Sequence, residues 1–359
     1  MAYKGVFKEN ISRTQEALEW VDSQDVEGLR SFFMEDSYVP LYCIGSGGSF
    51  SPLEYAAQLY EVNQGMAKAV TPLMLDSISD DTLKRSKVLV LTSSGKGWDE
   101  KYVSKRVASV KPMKACAVVR NESDDNYVLK YLSKIDANSF VYNWPTQEGS
   151  FIATIETVCK FGLFYRAFTN TDGILDNLTV NLEPCHCFTY RPRMEGEIPL
   201  IKDVKNFIVL YNGWSKPVAI DFESKMVESG IASVQLCDYR NFCHGRFIFL
   251  SNHLADSVLV LFLTPREHKF VKDLFDGVIW RENREAFPRN TPIIKVESEL
   301  DSPLASIDLL IKMQVLFDEI AKAFDTEPCK PNNPCKIDKR FPKNTPFKNY
   351  RHPPSPFRR

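Results

Sequence analysis

What the 359-residue chain lacks narrows its class. It has no long hydrophobic run: the longest, Val258 to Thr264 in DSVLVLFLTP, is far short of the ~20 residues that span a bilayer. No membrane partner is expected. It has no excess of one charge, since 45 Lys and Arg face 46 Asp and Glu for a formal net charge of -1. No global field therefore draws it to nucleic acid or a lipid surface. The N-terminus, MAYKGVFKENISRTQEALEW, lacks the apolar core of a secretion leader. With nine singly scattered cysteines, that points to a reducing, cytoplasmic setting. Metal chemistry is not expected either. Cys185-His186-Cys187 would alternate sides of an extended chain, and no second ligand pair follows at zinc spacing. Cys329 and Cys335 in CKPNNPC are expected as free thiols. No G-x-G-x-x-G stretch is present, because the glycines of GSGG fall too close together, and no cofactor is expected.

What is present is a repeated α/β pattern. The hydrophobic fraction of 44% and 24 phenylalanines allow two substantial cores at this length. Apolar runs at 40–44, 87–92 and 114–119 alternate with helical patterns and end in a long helix over 151–168. After 170–199, rich in Pro, Gly and Asn, the alternation resumes with runs at 206–213, 231–236, DSVLVLFLT and TPIIKVE. It closes in the helical SPLASIDLLIKMQVLFDEIAKAF. Continuous apolar strands separated by helices imply parallel sheets covered on both faces. The plan predicts an N-terminal helical segment (1–34), a first α/β domain (35–169), a linker (170–199) and a second α/β domain (200–325). A basic, proline-rich tail (326–359) follows.

Two places carry chemistry. The turn Ile44-Gly45-Ser46-Gly47-Gly48-Ser49 joins a buried strand to a helix, where glycines admit an anion and the helix N-terminus offers free N–H groups. Thr92-Ser93-Ser94-Gly95 ends the next buried strand, and two hydroxyl-bearing turns at neighbouring strand ends converge on one crevice. The plainer alternative for either alone is a helix cap. Downstream, Lys225 and Glu228 lie three apart on a helical pattern and so share a face. His244, in a Cys-His-Gly turn, follows sixteen residues after the glutamate, within reach of the same spot by folding or through a partner subunit. Lysine, glutamate and histidine are the groups that move a proton between adjacent carbons of a sugar.

On these residues the chain resembles the double-SIS (sugar isomerase) family. That family includes the isomerase half of glucosamine-6-phosphate synthases and stand-alone fructosamine-6-phosphate deglycases. Gly47-Gly48-Ser49 stands at the family's Gly-Thr-Ser turn, and Thr92-Ser93-Ser94-Gly95 at its Ser-Gln-Ser-Gly turn. Lys225, Glu228 and His244-Gly245 keep the family spacing without a gap. PNNPCK, ending at Lys336, is similar to the tail segment whose lysine enters the active site. The likeness covers nearly the whole chain. Departures are Gly97 for a family hydroxyl, with Lys96 before it, Asn241 for a glutamate, and Arg246 for the proline after His-Gly. The sequence opens Met1-Ala2-Tyr3 without a cysteine nucleophile, so ammonia from glutamine is not expected.

The resemblance implies two tandem SIS units, each a parallel sheet flanked by helices. It implies a sugar-phosphate ligand, with Gly47, Gly48, Ser49, Thr92, Ser93 and Ser94 on the phosphate. It also implies a homodimer with a composite active site. Glu228 is expected to shuttle a proton between C1 and C2, as a partly buried carboxylate of raised pKa. His244 is expected to open the sugar ring, Lys225 to stabilise an enolate or help deprotonate an imine, and Lys336 to form an imine with the open-chain ketone. The expected chemistry is that of an isomerase, deglycase or deaminase on an amino- or amine-conjugated sugar 6-phosphate. A non-catalytic sugar-phosphate regulator and a nucleotide-dependent enzyme are the alternatives.

Overall fold

The structure is a computed structural model that describes residues 2–63, 65–145, 150–171, 173–183, 201, 204–253, 256–271, 293–332 and 334. Nine strands are described. β1 (Leu41–Ile44), β2 (Ala67–Val70), β3 (Lys87–Thr92), β4 (Lys114–Val119) and β5 (Asn138–Val141) form one sheet. β6 (Asn206–Tyr211), β7 (Ser233–Asp238), β8 (Ser257–Leu263) and β9 (Ile293–Glu297) form the other. Every strand pair is parallel. The chain is α/β with two parallel sheets flanked by helices, as the alternation of apolar runs and helical patterns predicts.

The chain divides into two compact units. One gathers the described residues of 23–144 and 163–170 around β1–β5, and the other those of 1–22, 145–162 and 171–332 around β6–β9. Among the described residues no helix is long and apolar enough to cross a membrane.

The first sheet has the order β2-β1-β3-β4-β5 and the second β7-β6-β8-β9. Each order reverses after its second strand in sequence, which opens a crevice at the carboxyl ends of β1 and β3, and again of β6 and β8. The central strands explain why: β3 is buried at all six positions and β8 at all seven, so both faces must be covered by helices. Helix Trp98–Val110 covers the first sheet by setting Val103 and Val107 against Val88, Val90 and Ala117. Each fully buried valine or leucine in such a layer is worth roughly 1.5–3 kcal/mol relative to exposure.

β2 (AKAV) and β5 (NSFV) were not legible as strands. They are the two edges of the first sheet, four residues each and only partly buried. An edge strand covered on fewer sides has no need of a continuous apolar run.

Candidate functional site

The two glycine- and hydroxyl-bearing turns follow β1 and β3, at the switch point of the first sheet. After Ile44 the chain passes through Ser46, in extended conformation, into a single 3-10 turn Gly47–Ser49 and the helix Phe50–Val62. Gly47 has φ +54°, a left-handed backbone that a side chain would strain. Gly47 and Gly48 are exposed and Ser49 is buried. Thr92 is buried, Ser93 half-buried and Ser94 exposed. A small pocket separates the two turns and is lined by Ser46 and Ser49 from one, Thr92 from the other, and Asp99 and Glu100. The two turns therefore border one crevice.

The two carboxylates were not expected there. They belong to the first turn of helix Trp98–Val110, where the helix dipole favours anions. Glu100 Oε1 accepts from Thr92 Oγ1 at 3.2 Å, and Thr92 Oγ1 in turn accepts from the Gly95 N–H at 3.2 Å. Burial pushes the Asp99 carboxyl up, against the opposing effect of the hydroxyl of Ser46 hydrogen-bonded to it. Lys96, the basic residue of this loop, pairs with Asp125 at 3.7 Å. That Asp99 and Glu100 line this pocket is not visible in the sequence.

In the other unit, helix Lys216–Glu228 carries Lys225 and Glu228, but the two side chains do not meet. Lys225 is buried and forms an ion pair with Asp221, equally buried, one turn earlier. Glu228 is exposed, and its Oε1 accepts from Ser224 Oγ at 2.8 Å. Residues three and four apart are both neighbours on a helix, and the buried position of Lys225 pairs it with buried Asp221 rather than with exposed Glu228. The carboxyl on this helix held above its usual range is Glu223, first by burial and then by the charge of Glu228. Asp221 and Glu223 are the residues that motif spacing passed over.

His244 lies beyond β7, in a tight π-type turn Phe242–Arg246 between the short helices Tyr239–Asn241 and Phe247–Asn252. Gly245, at φ +102°, makes the kink possible. Tyr239, Phe242 and Leu250 anchor the turn by packing into the apolar cluster with Ile208, Leu210, Leu259 and Leu261. His244 and Arg246 are left exposed, as are Phe247 and Ile248. Glu228 ends the helix that leads into the amino end of β7, and His244 follows its carboxyl end. Within one chain the two are separated along the strand by the length of its six residues, about 20 Å.

Lys336, Cys335 and the Cys185-His186-Cys187 triplet lie outside the described residues. Among the described residues Cys43, Cys116, Cys159, Cys237, Cys243 and Cys329 are free thiols, and no group of three or more His, Cys, Asp or Glu residues is placed to hold a metal ion. The carboxyl edge of the second sheet holds a related polar cluster. Asn212 Nδ2 donates to buried Glu267 at 2.9 Å, and the Thr264 N–H donates to the same carboxylate at 2.9 Å. In the second sheet one carboxylate, Glu267, thus joins the turns after both central strands, whereas in the first Glu100 bonds the turn after β3 alone.

No protein-family model matches the chain, and no curated protein matches it in sequence. Solved structures do match. The C-terminal domain of glucosamine-fructose-6-phosphate aminotransferase from Francisella tularensis superposes with a TM-score of 0.62 at 13% identity, over 92% of this chain and 99% of that one. Tagatose-6-phosphate ketose/aldose isomerase from Escherichia coli gives 0.63 at 15%, over 94% and 99%. Glucosamine-6-phosphate deaminase from Thermotoga maritima gives 0.58 at 12%, over 88% and 97%. At such identities the likeness is one of fold, and it runs through almost the full length of each protein. The two parallel sheets of this chain are the fold of tandem SIS-like units, and the superpositions extend that fold to these phosphosugar proteins.

Proposed function

We propose that the protein catalyses C1–C2 proton transfer on an amino- or amine-conjugated sugar 6-phosphate, as an isomerase, deglycase or deaminase. The observation that carries this reading is the crevice at the first sheet's switch point, where the turns of Ser49 and Thr92 border one pocket. In this reading 35–169 is the phosphate-holding SIS unit and 200–325 the catalytic one. Gly47, Gly48, Ser49, Thr92, Ser93 and Ser94 receive the phosphate oxygens. The Glu228 carboxylate takes a proton from C1 of the open-chain ketose and returns it to C2. The C–H electron pair becomes the C1=C2 bond of an enediol, while the carbonyl pair moves onto the C2 oxygen, which takes up a proton. The C1 hydroxyl gives up its proton as C2 regains one.

The opposite ends of β7 on which Glu228 and His244 stand favour a site composed from two copies of the chain. His244 of the second copy then moves the proton between the ring oxygen and the anomeric hydroxyl on opening. The buried pair with Asp221 favours Lys225 as a positioning residue for the helix that carries Glu228. Lys336 is the amine for an imine with the ketone, forming the C=N bond with loss of water. In a deglycase, hydrolysis after proton transfer releases the sugar phosphate and the amine.

The test is incubation in D₂O with a panel of ketose and fructosamine 6-phosphates, reading deuterium at carbon by NMR. Exchange that is lost in Glu228→Gln is expected. The exposure of Glu228 favours the second reading, a sugar-phosphate-binding regulator. That reading is the one left standing if sugar phosphates bind tightly with no exchange, no turnover and no effect of Glu228→Gln.

A further inference from the structure

We propose that Glu100 is the specificity-determining residue of the first cradle: its carboxylate sits in the anion's place on Thr92 and holds the affinity for the dianionic end of a sugar phosphate well below what the turns alone would give. This rests on the reading of the crevice as a sugar-phosphate site. The Thr92 hydroxyl of the pocket is committed to one of the chain's own anions. Thr92 Oγ1 donates to Glu100 and accepts from the Gly95 N–H. Asp99 and Glu100 both line the same pocket as Ser46, Ser49 and Thr92.

Position 97 shows how the carboxylate fits. A Cβ built on Gly97 would collide with Glu100 Oε2, so the carboxylate occupies room that exists because no side chain stands there. The helix N-terminus that would attract a phosphate is already served by Asp99 and Glu100 in its first turn. Compensating positive charge is directed elsewhere, since Lys96 is paired with Asp125. A phosphate entering the cradle must displace Glu100 from Thr92 or stand beside it, and like charges at close range in a half-buried site repel strongly. A ligand end without charge meets no such opposition. Glu100 therefore reads the charge of the ligand, while the hydroxyls read its shape.

The experiment is calorimetric titration of the full chain and of Glu100→Gln with fructose 6-phosphate, glucosamine 6-phosphate and, as the phosphate-free twin, fructose. Glutamine keeps the size and an acceptor for Thr92 but removes the charge. Glu100→Gln should bind both sugar phosphates at least tenfold more tightly, with fructose unchanged. Glu100→Ala, which tests the same charge without a new amide, should shift affinity in the same direction. Equal affinity of wild type and both variants for the sugar phosphates overturns the role of Glu100 and leaves the sugar-phosphate reading intact. A gain for fructose as large as that for its phosphate also overturns it, because charge is then not what is read. If no form binds either sugar phosphate, the sugar-phosphate reading fails first and this proposal with it.

Discussion

At the scale of single residues, two buried lysines show how a charge inside the protein is defined by its partner. Lys225 is paired with Asp221 on one helix, both buried. Removing one member of such a pair strands the other charge and typically costs about 3–5 kcal/mol. Lys225→Met is therefore expected to lower the urea midpoint markedly, while Asp221→Asn combined with Lys225→Met recovers most of the loss. A Lys225→Met protein of wild-type stability would show that the pair is not structural. Lys87, fully buried at the start of β3, donates to the carbonyls of Phe33 at 3.1 Å and Glu35 at 2.6 Å, at the end of helix Glu27–Met34. Burial, aided by the charge of Lys114, pushes its pKa down from 10.5 to about 8. Between those values the unfolded chain holds the proton and the folded chain does not, so stability rises with pH across that window. Above pH 10 the buried Tyr60 and half-buried Tyr102, pushed up to about 12, act in the opposite sense. The Tm of wild type should thus climb relative to Lys87→Met from pH 7.5 to 9.5. A constant difference between the two proteins would exclude the titration of Lys87.

At the scale of elements, the turn that presents His244 is held by Phe242 and Leu250 from below and shaped by Gly245 from within. A Cβ on Gly245 would meet no atom within 4 Å, so a substitution there is opposed by backbone strain alone. Forcing a side chain into such a conformation costs about 1–3 kcal/mol. Gly245→Ala is expected to shift the turn with little change in the bulk fold and, if His244 serves the proposed reaction, to reduce turnover. Comparing turnover with far-UV circular dichroism checks this, and full activity in Gly245→Ala would mean that the turn tolerates a side chain at φ +102°.

For the whole molecule, the separation of Glu228 from His244 along β7 has a direct consequence. If the site is composed from two copies, an inactive Glu228→Gln protein mixed with an inactive His244→Ala protein should regain activity through hybrid dimers. Each hybrid holds one intact site of its two. Subunit exchange confirmed by mass spectrometry without any recovery would place both residues in a site of one chain.

The sequence by itself determined the α/β class and the central strands, because a strand buried on both faces must be apolar throughout, as β3 and β8 are. It also located the two turns at the carboxyl ends of β1 and β3, since glycines and hydroxyls between an apolar run and a helical pattern have few other uses. The edge strands were hidden because partial exposure relaxes their composition. The orientation of side chains on one helix was decided only in the tertiary structure. Spacing placed Lys225 and Glu228 together, but burial turned Lys225 inward to Asp221 and left Glu228 in solvent. The same holds for the cradle, where only packing of the helix Trp98–Val110 against the sheet brought Asp99 and Glu100 to the pocket. Sequence period fixes which residues share an element's face, whereas what that face meets depends on contacts between segments far apart in the chain.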